Sequence, residues 1–402
     1  MDEYARPEAA RRAGVDTGFL DRLIELAIVQ PEDDGQLSHG AVRRIGMVKS
    51  LADAGIPLDG IAAAMRRGDI SLDFIDSSAY ERFSALSGET FEEVSSRTGI
   101  PLQLLMVVRE AIGRAQPSPD DRMREDELLI LPFVETQLQV GFRAKAIERL
   151  LRSEGDSLRR IAASEADWWA SEVIQPALEA GKSSAEIANV EFSDLLTVLS
   201  ERALLAMYHA HQEHAWTQNI IGGIESMLTR AGLYSRLERP PAMCFLDITG
   251  YTRLTQERGD AAAADLAEQL GRLVQRTSVQ HGGRPVKWLG DGVMFWFRDP
   301  GPGVVAALEM VDGVTDAGLP PAHVGLHAGP VLFQEGDYFG QTVNIASRIA
   351  EYARPGEVLV SQDVVDASGG TGTAFTEIGP IELKGVTGAV RLHAAHRAPA
   401  PA

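Results

Sequence analysis

Phe245-Leu-Asp-Ile-Thr-Gly-Tyr-Thr252 and, about forty residues later, Lys287-Trp-Leu-Gly-Asp-Gly292 decide how this chain is read. Each is an apolar run that predicts a strand, ending in one carboxylate, then glycine and a turn. Taken alone, such an Asp reads as a turn residue or a helix cap. A buried carboxylate is costly unless something pairs with it, and two at neighbouring strand ends suit shared divalent ions. The N–H groups of Thr249, Gly250 and Tyr251 open a predicted helix, and a helix N-terminus attracts phosphate. Metals beside a phosphate cradle point to nucleotide chemistry.

A third segment strengthens that reading: Gly336-Asp-Tyr-Phe-Gly-Gln-Thr-Val-Asn-Ile-Ala-Ser-Arg348. Asn344 and Arg348 stand four apart at the start of a predicted helix, which places an amide and a guanidinium on one face. Three such constellations in order, within about a hundred residues, argue for one site.

Residues 238–396 resemble the catalytic domain of class III nucleotidyl cyclases. The resemblance implies two divalent cations, Mg2+ or Mn2+, held by Asp247 and Asp291 with the backbone carbonyl of Ile248. It implies that Lys287 and Asp337 read an adenine ring, that Asn344 and Arg348 stabilise the transition state, and that Lys384, in Glu382-Leu-Lys-Gly-Val386, holds the triphosphate. The implied reaction converts ATP to cyclic AMP and pyrophosphate by attack of the ribose 3′-hydroxyl on the α-phosphate. Charge grows at that phosphorus, so planar donors such as Arg348 belong there. Adenine offers a donor at N6 and an acceptor at N1. A carboxylate with an ammonium matches that pattern, whereas guanine would meet like with like.

The resemblance also implies a homodimer. Metal aspartates come from one chain and base-reading and transition-state residues from the other, giving two sites across a two-fold interface. The run from His327-Ala-Gly-Pro330 to Asp337 is short, as in a short-arm bacterial subgroup, which leaves less chain to clasp a partner. Strand–helix alternation gives the expected fold, an α+β, ferredoxin-like catalytic domain behind an all-α regulatory region. Its elements are strand 242–248, helix 253–279, strands 284–289 and 292–298, helix 302–316, strand 322–333, helix 341–353, and strands after 357.

With 402 residues, two or three domains are expected. A net charge of −19 argues against a general nucleic-acid binder. The single cysteine, Cys244, excludes an intrachain disulfide and a cysteine metal site, and reads as a buried small hydrophobe. The N-terminus lacks the form of a signal peptide, and no run of 18 apolar residues predicts a membrane span. A cytoplasmic location is therefore expected.

The first 165 residues carry an internal duplication. Arg12-Ala-Gly-Val15 aligns with Arg97-Thr-Gly-Ile100, and Gly55, Ile61 and Gly68-Asp69 align with Gly141, Ile147 and Gly155-Asp156. Helical apolar spacing recurs in both copies, each broken by a Pro- and Asp-containing turn at 31–34 and 117–121. Both modules, 1–85 and 86–165, resemble winged or MerR-type helix-turn-helix units. Ala54-Gly-Ile-Pro-Leu-Asp-Gly-Ile-Ala62 is similar to the turn of that group. Residues 1–100 hold 18 acidic against 11 basic residues, a net −7. Arg43-Arg44 and Arg66-Arg67 are too small a patch for a phosphate reader, so charge favours regulation or dimerisation over DNA binding.

Residues 166–237 read as a mostly helical transducer. It holds His209, His211 and His214, whose spacing does not suit a metal but whose protonation near pH 6 offers a switch. Trp168-Trp169 are expected to pack the helical region, and the Ala-Pro tail of 397–402 to be disordered. The regulatory ligand or partner is unnamed by the sequence. The competing reading is a DNA-binding regulator whose cyclase-like domain senses a nucleotide without turnover.

Overall fold

The computed structural model describes residues 3–76, 84–183, 186–187, 193–233, 240–250, 256, 259–334, 336–369 and 372–398. The chain forms two compact units, one reaching Glu225 and one beginning at Ser226.

In the first unit the same order of elements runs twice. The first pass is β1 (Glu3–Tyr4), α1 (Arg6–Arg12), α2 (Thr17–Glu25), β2 (Leu37–Ser38), α3 (His39–Asp53) and α4 (Leu58–Arg67). The second is β3 (Leu86–Thr90), α5 (Phe91–Thr98), α6 (Leu102–Ala111), β4 (Arg122–Arg124), α7 (Glu125–Gln139) and α8 (Ala144–Trp169). The region is thus helical but not wholly so, because β1 pairs antiparallel with β2 and β3 with β4. Each pass buries its own core, around Leu20, Leu23 and Ile45 in one and Phe91, Leu105 and Val134 in the other.

The two passes diverge where the sequence aligns them. Gly68 ends α4 in the left-handed conformation (φ +78°). Its counterpart Gly155 lies inside α8, where an added Cβ would fall 2.2 Å from the Ala111 carbonyl oxygen. Helix α8 therefore runs on through the boundary expected at 165. It continues as a π-helical turn (Ala170–Ile174) and α9 (Gln175–Glu179). In the second pass alone, Arg109 donates to both oxygens of the fully buried Glu127 (2.6 and 2.9 Å). Removing one partner of such a pair is strongly destabilising, because it leaves the other charge buried and unpaired.

The basic patch considered for DNA is largely occupied. Arg43 donates to the Ile75 carbonyl, Arg44 pairs with Asp73 at 3.2 Å and Arg67 with Asp69 at 2.7 Å. Helix α10 (Ser193–Arg230) carries His209, His211 and His214, all exposed. Trp168 is 53% exposed, so the expected packing of the tryptophan pair holds at most for Trp169. No helix among the described residues is long and apolar enough to cross a membrane.

The second unit is built on a seven-stranded sheet of order β12-β13-β11-β8-β5-β7-β6. These strands are β5 (Ala242–Ile248), β6 (Gly283–Leu289), β7 (Gly292–Phe297), β8 (Ala322–Ala328), β11 (Val358–Ser361), β12 (Thr373–Glu382) and β13 (Ala389–Arg397). Helices α11 (Asp260–Gln280), α12 (Pro300–Asp316), α13 (Gln341–Tyr352) and α14 (Gln362–Ala367) complete the framework. The run β5-α11-β6-β7-α12-β8, with its strands ordered β8-β5-β7-β6 and antiparallel, is the expected ferredoxin-like core.

Strand alternation sorts β5. Ala242, Cys244, Leu246 and Ile248 pack with α11 and α12, while Met243 and Phe245 meet α13 through Ala346 and Ala350. Asp247 falls on the α13 face. Cys244 is fully buried, and burial raises its thiol well above the ordinary value. The strand expected at 322–333 is broken after Ala328 by Gly329-Pro330; β9 (Leu332–Gln334) and β10 (Asp337–Phe339) then form a separate hairpin. Helix α13 lies close on β8, since a Cβ at Gly325 would stand 2.1 Å from the Ala350 nitrogen. The Ala-Pro tail from 399 lies outside the described residues.

Candidate active site

Asp247 is paired across the sheet with Gly292 on β7 and with His323 on β8. Leu289 pairs with Gly292, so Gly290 and Asp291 are the two residues of a tight hairpin, with Gly290 at φ +68°. That turn brings Asp291 beside Asp247. Burial and the Asp291 carboxylate raise the Asp247 proton affinity, while His323 and the Ile248 N–H oppose them. The Ile248 N–H reaches Asp247 Oδ1 at 3.0 Å, and His323 Nε2 lies 3.7 Å from Oδ2. A Cβ at position 292 would stand 3.1 Å from the Leu246 carbonyl oxygen, a tight approach that glycine avoids.

A carboxylate whose charge is disfavoured by burial and by an adjoining carboxylate fits a shared hard cation. Among the described residues no set of three or more His, Cys, Asp or Glu side chains converges. Asp247 and Asp291, with the Ile248 carbonyl at the end of β5, are the groups here that could hold such an ion.

Lys287 and Asp337 also meet. The Lys287 ammonium on β6 pairs with Asp337 Oδ2 on β10, and the Tyr338 N–H holds Asp337 Oδ1 at 2.8 Å. Asn344 is exposed on α13, one turn before Arg348, whose Nη1 contacts Glu351 Oε2 at 2.6 Å. Lys384 is exposed in the turn after β12, closed by the Val386 N–H on the Leu383 carbonyl. Among the described residues no side-chain hydrogen bond or ion pair links the aspartate pair, the Lys287–Asp337 pair, Arg348 and Lys384 to one another.

The Thr249 N–H, expected to open a helix, donates to the Pro321 carbonyl at 2.9 Å, and residues 249–250 form a turn. The Thr249 hydroxyl instead approaches His323 Nδ1 at 3.3 Å. Gly250 is exposed at φ +81°. Tyr251 lies outside the described residues, and so does most of the predicted helix start; α11 begins at Asp260.

Residues 234–396 match the family model for the adenylate and guanylate cyclase catalytic domain. A pH-sensitive adenylate cyclase of Mycobacterium tuberculosis is 27% identical over 322 residues, covering 76% of this chain and 77% of that protein. An adenylate cyclase of Streptomyces coelicolor is 26% identical over 270 residues, 67% and 68% of the two chains. An uncharacterised protein of Mycobacterium bovis is 27% identical over 388 residues, 89% of this chain and 91% of its own. Among solved structures, the adenylyl cyclase CyaB from P. aeruginosa is similar at 22% identity, 40% and 95% coverage and a TM-score of 0.35.

Sequence reasoning missed His323, Glu351 and the histidine that ties the cyclase domain's central strands together. His327 on β8 is buried, with Nδ1 at 2.7 Å from Ser361 Oγ on β11. Burial holds its imidazole below the ordinary 6.5, with Asp363 opposing. The unfolded chain therefore protonates first as pH falls. The His327 contribution is complete above the unfolded value and is lost as pH drops toward the folded one. The melting temperature should fall between about pH 7.5 and pH 5.5, and His327→Asn should show a smaller fall. Equal falls in both proteins would rule His327 out as a cause.

Proposed function

We propose that this chain is an adenylate cyclase that forms cyclic AMP and pyrophosphate from ATP at sites shared between two copies. The observation that carries the reading is the apposition of Asp247 and Asp291 across the β5–β7 pair. When bound there, two divalent cations supply Lewis acidity toward the ribose 3′-hydroxyl and the polyphosphate. The residues of the chain do the rest. Asp337 accepts from the adenine N6 amino group and Lys287 donates to N1. Asn344 orients the ribose, and Arg348, released from Glu351, neutralises charge growing at the α-phosphate. Lys384 holds the departing pyrophosphate. The O3′–P bond forms as the bond from the α-phosphorus to the bridging oxygen breaks; pyrophosphate leaves with the electron pair, and the 3′-hydroxyl proton passes to solvent.

The Lys287–Asp337 pair, both from one chain, supports ATP over GTP. The test is product formation by the full-length chain given ATP or GTP, with Mg2+ or Mn2+. Cyclic AMP is the expected product, and inertness toward ATP at every pH from about 5.5 to 8 would reject the reading.

We further propose that the helical region regulates the rate, with pH as its signal. The three exposed histidines of α10 lie just before the cyclase domain, and one relative of similar extent is a pH-sensitive adenylate cyclase. Changing His209, His211 and His214 together to Gln should flatten the pH–rate profile between about pH 6 and pH 7.5. An unmoved profile would discard these histidines as the sensor.

A further inference from the structure

Arg284 lies on β6, three residues before Lys287. Its guanidinium sits among three rings, 5.2 Å from the Trp296 centroid, 5.3 Å from Phe333 and 5.4 Å from Tyr338. It also donates through Nη2 to the Tyr338 hydroxyl. Trp296 and Tyr338 stack with centroids 5.9 Å apart and planes 6° from parallel, and Phe333 tilts onto Tyr338 at 4.9 Å. The cation is thus met by ring faces and a hydroxyl, an arrangement that favours arginine for its planar fork.

The rings come from different strands: Trp296 from β7, Phe333 from β9 and Tyr338 from β10. The β9–β10 hairpin forms its own two-stranded sheet, so no backbone ladder fixes it to the seven-stranded one. A three-residue strand held only by its hairpin partner can roll about its axis unless side chains stop it. Tyr338 is the buried anchor, at 6% exposure. The next link is direct, because the Tyr338 N–H binds one oxygen of Asp337 and Lys287 takes the other. One strand, β6, therefore grips β10 at two consecutive residues, Arg284 on Tyr338 and Lys287 on Asp337.

We propose that Arg284 is a positioning residue for base selectivity: its aromatic cage sets the roll of β10 and so aims the Asp337 carboxylate at the adenine edge. This rests on the adenylate cyclase reading. A misplaced carboxylate weakens discrimination as well as rate, because a hydrogen-bonding site rejects the wrong base only when its own groups are correctly placed.

The experiment compares kcat and KM for ATP and GTP in full-length wild type, Arg284→Met, Arg284→Lys and Tyr338→Phe. Arg284→Met should lower the ATP-to-GTP ratio of kcat/KM at least about tenfold, chiefly through KM for ATP. Arg284→Lys keeps the charge without the fork and should fall close to it. Tyr338→Phe keeps the ring and loses the hydroxyl, and should land between. A merely structural role would lower the melting temperature and the active fraction, cutting kcat for both nucleotides alike. An unmoved ratio in folded Arg284→Met overturns the proposal, and so does an unmoved ratio in Tyr338→Phe should the arginine variants fail to fold. Wild type inert toward both nucleotides overturns the adenylate cyclase reading and this proposal together. An active wild type with an unmoved ratio overturns only the latter.

Discussion

Asp247→Ala is expected to abolish cyclic AMP formation, with kcat lower by at least about 1,000-fold at saturating Mn2+. Burial and Asp291 both work against the Asp247 charge in the metal-free fold, so its folded pKa lies above the unfolded one. At neutral pH that charge opposes folding, and its removal should leave the melting temperature unchanged or higher. Catalysis and stability should therefore move in different directions. A wild-type rate in the variant would show that the aspartate pair is not the metal platform. A dead variant that had also lost its melting transition would reveal a folding defect instead. Titrating Mn2+ against the melting temperature adds an independent reading: wild type should gain stability from the ion by mass action, and Asp247→Ala should gain less.

The second large effect concerns the partner copy. Arg348→Ala should be nearly inactive by itself, falling on the order of 100- to 1,000-fold, the usual loss for a transition-state donor. A heterodimer of Arg348→Ala with Asp247→Ala, co-expressed and isolated through two different tags, should recover about half of the wild-type rate. Two-fold symmetry gives a dimer two sites, and in this heterodimer one site receives both defects while the other receives none. Each homodimer stays inactive. If a single chain supplied every group, each site of the heterodimer would keep one defect and no activity would return. The arrangement within one chain motivates the experiment, since the aspartate pair and Arg348 share no hydrogen bond or ion pair among the described residues and Arg348 rests on Glu351.

Much of the candidate site was legible because its residues obey local rules. Asp247 could be placed at the end of β5 from the apolar run before it, and Asp291 at a hairpin tip from Gly290 and Gly292 on either side. Asn344 and Arg348 follow from helical spacing. The partner of the Thr249 amide was not legible, because the carbonyl it meets, Pro321, lies seventy-two residues away. His323 escaped notice for a similar reason. Only the register of β5 with β8 sets it opposite Asp247.

In the first unit, periodicity and the aligned glycines revealed a duplication. They could not reveal that Gly68 ends a helix while Gly155 lets one pass close to another. The two glycines share a type and a neighbouring Asp, and only what packs against them differs.

By itself, then, the sequence determined the strand–helix order of the cyclase domain, the identity of its carboxylates and cations, and the repeat that precedes it, because these rest on period, turn chemistry and charge within short windows. The tertiary structure alone decided which of those groups meet. Asp247 lies beside Asp291 through the antiparallel register of β5 and β7. Lys287 on β6 meets Asp337 on β10, a strand outside the seven-stranded sheet. These contacts join residues forty-four and fifty positions apart, and local propensity carries no information over that distance.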